Sequence, residues 1–307
     1  MTRADHGTEV TVTVPATSAN LGPGFDALGL ALSLRDEVRV RVEGLSAPAV
    51  TVHVDGEGAF SVPRDGSHLV VRSVYSVYDS MGLDRPALSL WCTNRIPHGR
   101  GLGSSAAAAV AGVLAGRALA GAESDQDAEL AAATAMEGHP DNAAAALLGG
   151  LTVAWRDETG PHAVRVQPAA SLHAVLLVPP TQLATSTARG LLPPTVPHAD
   201  ASHAAGRAAL LVEALSRQPD LLLPATEDRL HQQYRAAAMP ATARLVDALR
   251  AAGVAAVVSG AGPSVLVLSE LADIAAVDEL AGPDWQVLHL DVSAEGARLS
   301  RPAESSG

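Results

Sequence analysis

Lysine is missing from this chain altogether: among 307 residues, all 21 basic side chains are arginines. That excludes the phosphate lysine of a Walker-type loop and any mechanism that runs through a Schiff base. Cysteine is nearly missing too. Cys92 stands alone, so no internal disulfide and no thiolate metal cluster can form, and its setting in "SLWCTN" reads as a buried strand residue. Positive charge is outweighed by 33 acidic side chains, and the net charge of -12 leaves no electrostatic footprint for duplex DNA or an anionic lipid surface. Aromatic residues make up 3%, too few for the stacking surfaces of a nucleic-acid-binding module. Apolar runs break well short of the roughly 18 residues a membrane span requires. Arg3, Asp5, His6 and Glu9 precede any apolar run, unlike a secretory signal. These absences predict a cytoplasmic protein with no membrane and no nucleic-acid partner.

What is present suits a folded chain, with 48% hydrophobic against 18% charged residues. The length exceeds that at which one core usually stops growing, which predicts two domains. Valines alternate with polar residues at 10, 12 and 14, at 38, 40 and 42, and at 50, 52 and 54, as strands with one buried face require. Val70, Val74, Val77 and Met81 recur at helical spacing and Gly82 closes that helix. "ALSLWCTN" returns to strand. Alanine-rich helices are expected from Ser105 to near Gly121, over 127–137 and over 143–148. After about residue 155 the texture changes. "HAVLLVPP" reads as a strand, residues 202–216, 226–238 and 241–252 as helices, and "VAAVVSGAGPSVLVLSE" as strand, glycine turn, strand. The expected domains are 1–157 and 158–299, with 300–307 as a frayed tail.

The most informative stretch is "IPHGRGLGSSAAAAVAGVLAG", residues 96–116. It bends through Gly99, Gly101 and Gly103 and enters a helix at Ser104 or Ser105. A helix N-terminus leaves backbone N–H groups without partners and carries a partial positive charge. Glycines ahead of it allow close backbone approach, so the segment forms an anion site that needs no lysine, and phosphate is its commonest guest. The serine hydroxyls can cap the helix, bond a phosphate oxygen or ligate Mg²⁺. Arg100 either faces the phosphates or is solvated. The spacing is neither the Walker pattern nor G-x-G-x-x-G.

This loop resembles the phosphate motif P-x-x-x-G-L-G-S-S-A-A of the galactokinase, homoserine kinase, mevalonate kinase and phosphomevalonate kinase (GHMP) family. "VPATSANLGPGFDALGLAL" (14–32) is similar to the family's first motif and "VVSGAGPSVLVL" (257–268) to its third, in the same order. "EGHPDNAAAALLGG" resembles the homoserine kinases within the family, as do "ATSTARGLLP", "HQQYRAAAMP" and "DVSAEGAR". The resemblance implies an α+β two-domain GHMP kinase fold. Its N-terminal α/β domain would be of a type that also occurs in ribosomal proteins (ribosomal-protein-S5-like), and its C-terminal domain ferredoxin-like α+β.

The implied activity is ATP-dependent phosphorylation of the side-chain hydroxyl of L-homoserine, a step towards threonine, with ATP and Mg²⁺. Pro97, His98, Gly99, Arg100, Gly101, Leu102, Gly103, Ser104, Ser105, Ala106 and Ala107 would hold ATP, backed by the turn of Gly260, Ala261 and Gly262. Ser105 and Glu137 would ligate Mg²⁺. Asn20, Asp26, His139, Asp141, Asn142, Thr185, Arg189 and Arg235 would bind the amino acid. Ser105, Glu137, Asn142 and Arg235 form the implied catalytic set. Relatives with a proposed aspartate base carry it where this chain has Asn142, which implies direct in-line transfer without a dedicated base; His139 as base is the rival. A homodimer is compatible with the family. The alternatives are a kinase for another small alcohol, an ATP-using decarboxylase, or a nucleotide-binding regulator without catalysis. Read without the family, His139 is also a candidate loop histidine, Asp141 and Asn142 helix caps, Asn20 and Asp26 turn formers, and Arg189 and Arg235 surface charges.

Overall fold

The computed structural model describes residues 6–44, 49–270 and 274–302. In chain order the elements are β1 (Glu9–Asn20), β2 (Gly24–Gly44), β3 (Val50–Gly56), α1 (Leu69–Ser80), β4 (Ala87–Asn94), α2 (Ser104–Leu119), α3 (Gln126–Glu137), α4 (Asp141–Leu148), β5 (Leu151–Asp157) and β6 (Gly160–Val166). There follow β7 (His173–Val178), α5 (Thr185–Gly190), α6 (His198–Ser216), α7 (Leu222–Ala225), α8 (Gln232–Arg235), α9 (Pro240–Ala251), β8 (Ala255–Val258), β9 (Val265–Ser269), α10 (Ile274–Ala281), β10 (Gln286–Asp291) and β11 (Arg298–Ser300).

The valine alternation produces the first sheet. Val10, Val12, Val14, Val38, Val40, Val42, Val52 and Val54 are all buried, and β1, β2, β4 and β3 lie side by side in that order. β2 is the organising strand. It pairs antiparallel with β1 along most of its length, with β4 over Glu37–Gly44, and with β5 over Leu28–Leu30. α2 and α4 cover one face, and α1 packs on α2. The glycines inside α2 serve that packing: a Cβ on Gly112 would lie 2.5 Å from the Val70 carbonyl oxygen, and one on Gly116 3.1 Å from Val74 Cα. The two helices therefore cross at backbone distance.

The second sheet has the order β10-β7-β9-β8, all antiparallel. With helices between β7 and β8 and α10 between β9 and β10, this is the split β-α-β-β-α-β arrangement of ferredoxin-like domains. One of its faces joins Leu176, Val257, Leu266 and Leu268 to the core of the first sheet. The other packs on α9 and α10 through Leu177, Val267, Leu245 and Leu249.

Three boundaries differ from the sequence reading. The expected division at 157/158 falls inside a hairpin, because Asp157 pairs with Gly160 and the first sheet continues through β6 to Val166. That sheet also takes back β11, whose Leu299 pairs with Val12. Of the expected tail, Ser300 ends β11 and residues 303–307 lie outside the described residues. Finally, the helix expected over 226–238 is broken: the buried Asp228 carboxylate accepts the backbone N–H groups of Leu230, His231 and Gln232, so the chain turns before α8. No described helix is long and apolar enough to cross a membrane.

Candidate functional site

The glycine loop folds as a series of left-handed residues. Gly99, Gly101 and Gly103 have φ of 66°, 72° and 67°, which residues with a Cβ adopt only at a cost of about 1–2 kcal/mol. Space is as restrictive as torsion. A Cβ on Gly101 would lie 2.1 Å from the Ser259 carbonyl oxygen, and one on Gly103 1.9 Å from Thr17 Oγ1. The loop is clamped from two sides. Thr17 N donates to the Leu102 carbonyl at 3.1 Å, and Ser259 Oγ donates to the Gly101 carbonyl at 2.7 Å. β1 and the β8–β9 turn thus fix its shape.

Gly103 is the N-cap of α2 and supplies no side chain. Ala107 N is bonded to the Gly103 carbonyl, so the N–H groups of Ser104, Ser105 and Ala106 precede the helical ladder and have no intrahelical acceptor. The serines do not cap the helix. Ser105 Oγ instead donates to Glu137 Oε1 at 2.5 Å, across from the end of α3. Burial raises the Glu137 carboxyl above its ordinary value, against the lowering effect of that hydrogen bond. Arg100 is turned away, donating to the carbonyls of Pro179, Pro180 and His98.

Two cavities meet at this helix start, and Ser104 and Ser105 line both. The first, about 240 Å³, is walled by Val14, Val38, Val62, Pro63, Leu69, Val70, Cys92, Ala107, Ala108 and Ala111, with Asp36, His68, Asn94 and His98 as its larger polar groups. Asp36 is spent on the backbone N–H groups of Arg95 and Ile96. His68 is 6% exposed, and its Nδ1 is buried without a hydrogen-bond partner. Cys92 lies on the wall with its thiol pushed up to about 12 by burial, as an inert strand residue should be.

The second cavity, about 310 Å³, is polar and charged. Asn20, Glu137, His139, Asp141, Asn142, Thr185, Arg189 and Arg235 line it together with the glycine loop, Gly260 and Ala261. These residues come from both halves of the chain, so the sequence-predicted set converges. Asp26 joins through Arg189, which donates to its Oδ1 at 2.6 Å and its Oδ2 at 3.0 Å. Asn20, Leu21 and Asp26 all have positive φ, so the turn they bound is tightly folded. Asn20 fixes that turn, accepting from Asp26 N and donating to the Gly260 carbonyl. His139 Nδ1 lies 3.3 Å from Asp141 Oδ1, and Asp141 raises the imidazole above its ordinary value. Asn142 Oδ1 accepts from Thr17 Oγ1 at 2.7 Å, and the Asn142 backbone N–H donates to Asp141 Oδ1 at 2.7 Å. Gly262 stands one layer back, its N–H bonded to the Ser259 carbonyl.

Sequence reasoning passed over Thr17, His68, Asn94 and His231. Thr17 sits inside the quoted "ATSAN" and His231 opens "HQQYR", so both lay in view. His68 and Asn94 carried no local signal, since only the tertiary fold brings them to the α2 start.

The chain matches the GHMP kinases N terminal domain over residues 68–150 and the GHMP kinases C terminal domain over residues 204–281. It is 53% identical to a homoserine kinase from Streptomyces coelicolor, over 97% of this chain and 96% of the relative. A homoserine kinase from Leifsonia xyli is 50% identical over 98% and 94%. Among solved structures, a homoserine kinase from Cytophaga hutchinsonii superposes with a TM-score of 0.82 at 26% identity, covering 98% of this chain and all of that one (100%). A mevalonate diphosphate decarboxylase from Staphylococcus aureus shares the fold at a TM-score of 0.68 and 14% identity, covering 95% and 98%.

Proposed function

The chain belongs to the homoserine kinases within the GHMP kinase family, and we propose that it transfers the γ-phosphoryl group of ATP to the side-chain hydroxyl of L-homoserine in the cytoplasm, as a step towards threonine. The observation that carries this reading is the meeting of an apolar cavity and a zwitterion-suited cleft at one helix N-terminus. The purine ring enters the apolar cavity, where the unpartnered Nδ1 of His68 and the Asn94 amide offer hydrogen bonds. The triphosphate lies against the N–H groups of Ser104, Ser105 and Ala106, which supply the positive potential that lysine supplies elsewhere.

Ser105 and Glu137 fit a magnesium ion. Both are oxygen donors, they already face each other, and a hard cation takes such ligands. Bound between them, such an ion would neutralise phosphate charge. The amino acid occupies the second cavity. Asp26 receives its ammonium, and Arg189 and Arg235 its carboxylate, with the forked geometry that guanidinium offers. His139, Asp141 and Thr185 line the remainder. The hydroxyl oxygen attacks the γ-phosphorus in line, the bond to the β–γ bridging oxygen breaks, ADP leaves, and the hydroxyl proton passes to the transferred phosphoryl group or to solvent. Such a transition state asks mainly for alignment and charge neutralisation. Asn142 is an amide whose oxygen already accepts from Thr17, so it orients the loop start and takes no proton.

A coupled assay of ADP release, with ATP, Mg²⁺ and a panel of alcohols, tests the reading. L-Homoserine is expected to be the preferred substrate. Turnover of mevalonate or shikimate with none of L-homoserine would refute it.

A further inference from the structure

His231 is 0% exposed and lies between the two halves of the chain. Its Nδ1 is 3.0 Å from Arg235 Nη1, and its Nε2 is 2.8 Å from the Gly22 carbonyl oxygen. These partners settle the tautomer. A guanidinium has no lone pair to offer and a carbonyl has no proton, so Nδ1 accepts from Arg235 and Nε2–H donates to Gly22. The ring is also packed on Phe25, with centroids 5.3 Å apart, and the Arg235 guanidinium lies 5.6 Å from the same Phe25 ring.

Both partners matter to the amino-acid cleft. Gly22 belongs to the turn that carries Asn20 and Asp26, and that turn is seated on the second half of the chain: a Cβ on Gly22 would lie 2.6 Å from the Thr226 carbonyl oxygen. Arg235 is 1% exposed, and its remaining bonds go to the Ala188 carbonyl through Nε and, at 3.5 Å, to the Gly260 carbonyl. A buried guanidinium without such anchors has many rotamers to choose from. With them it is held in one.

We propose that His231 is a positioning residue for the amino-acid substrate: as the neutral Nε2–H tautomer it holds the Arg235 guanidinium in register with the turn bearing Asp26, so that the two charges of an α-amino acid are met at a fixed separation. The neutral form follows from the surroundings. Asp228, 3.7 Å from Nε2, already accepts from three backbone N–H groups, while Arg235 adjoins Nδ1. Burial first, with Arg235 adding, holds the imidazole below its ordinary value although Asp228 and Asp26 oppose the shift.

The inference rests on Arg235 receiving the substrate carboxylate, and the test separates the two. An Asn side chain reproduces the Nδ1 acceptor but not the Nε2 donor, whereas Gln reproduces the donor towards Gly22. His231→Asn, which loses only the bond to the neutral Gly22 carbonyl, is therefore expected to raise the KM for L-homoserine by about 2- to 10-fold. His231→Gln and His231→Ala are expected to raise it by about 10- to 100-fold, the loss of one hydrogen bond to a buried charge, with the KM for ATP within about twofold. If His231→Ala does not fold, the Asn and Gln variants decide the matter between them. The positioning role is overturned if Asn is as impaired as Gln. It is overturned as well if both KM values rise together in step with a fallen melting temperature, or if the homoserine KM does not move. Arg235→Gln is the control. Should it leave the homoserine KM unchanged, the assignment of Arg235 itself fails, and the role of His231 with it.

Discussion

Asp26→Asn removes a charge while sparing the backbone, because Asn adopts the φ of 55° found at this position as readily as Asp does. In the structure Asp26 holds Arg189 through two hydrogen bonds, with the side chains 36% and 34% exposed. Opposite charges about 4 Å apart attract by about 4 kcal/mol at an effective dielectric of 20. Pairs this open to solvent retain about 1 kcal/mol or less after screening. The variant should therefore lose little stability, which a urea midpoint would record. Its effect on catalysis should be larger. An L-homoserine ammonium deprived of its carboxylate loses about 1.5–3 kcal/mol, a fall of roughly 10- to 150-fold in kcat/KM. 4-Hydroxybutyrate, which lacks the ammonium, should behave in the opposite sense: Arg189 no longer has an internal partner, so kcat/KM for this analogue should hold or rise. The assay is coupled ADP release with both compounds. A fall of less than about threefold with L-homoserine, or an equal fall with both, would refute the assignment of Asp26 to the ammonium.

Five other substitutions have defined outcomes. Gly103→Ala combines a Cβ 1.9 Å from Thr17 Oγ1 with a φ of 67°, so the α2 start must shift and kcat/KM for ATP should fall at least about tenfold in steady-state assays. Ser105→Ala and Glu137→Ala should each reduce turnover severely, whereas Asn142→Asp should leave it measurable; equal loss in all three would make Asn142 a chemical participant. Burial lowers the His68 pKa from its ordinary 6.5, so the unfolded chain keeps a proton that the folded chain releases. The stability this group contributes is complete above about pH 6.5 and is lost as pH falls through the lowered folded value. His68→Leu should accordingly lessen the drop in urea midpoint between about pH 7.5 and 5.5; an unchanged drop would contradict the burial of a neutral imidazole there.

The extent to which this molecule is legible in its sequence follows the range of the interactions. Val10–Val14 and Val38–Val42 announce themselves by period and the alanine-rich helices by composition, and all appear where their patterns lie. The glycine loop is equally legible, because the φ and clearance that Gly101 and Gly103 need are properties only glycine has. Long-range choices are not. Nothing local in "ARLSR" marks it as a strand that returns to β1, and nothing in "EDRLHQQYR" shows that Asp228 will take three N–H groups and break a helix of otherwise favourable composition. The cleft was visible as a set of residues, but not its internal bonds. That Arg189 spends itself on Asp26, that Arg100 turns to carbonyls, and that Asn20 ties one turn to another are facts of distance between segments far apart in the chain.

The return of β11 to β1 bears on how the chain comes off the ribosome. Residues 298–300 are translated long after β1, and with them come Gly296 and Ser293, whose carbonyl and hydroxyl accept from Arg35. Until they emerge, Thr11 to Thr13 offer an unpaired strand edge to any neighbouring nascent chain. Polysomes crowded with half-made copies are therefore where this fold is most exposed to mispairing, and early release by a premature stop would make that hazard permanent.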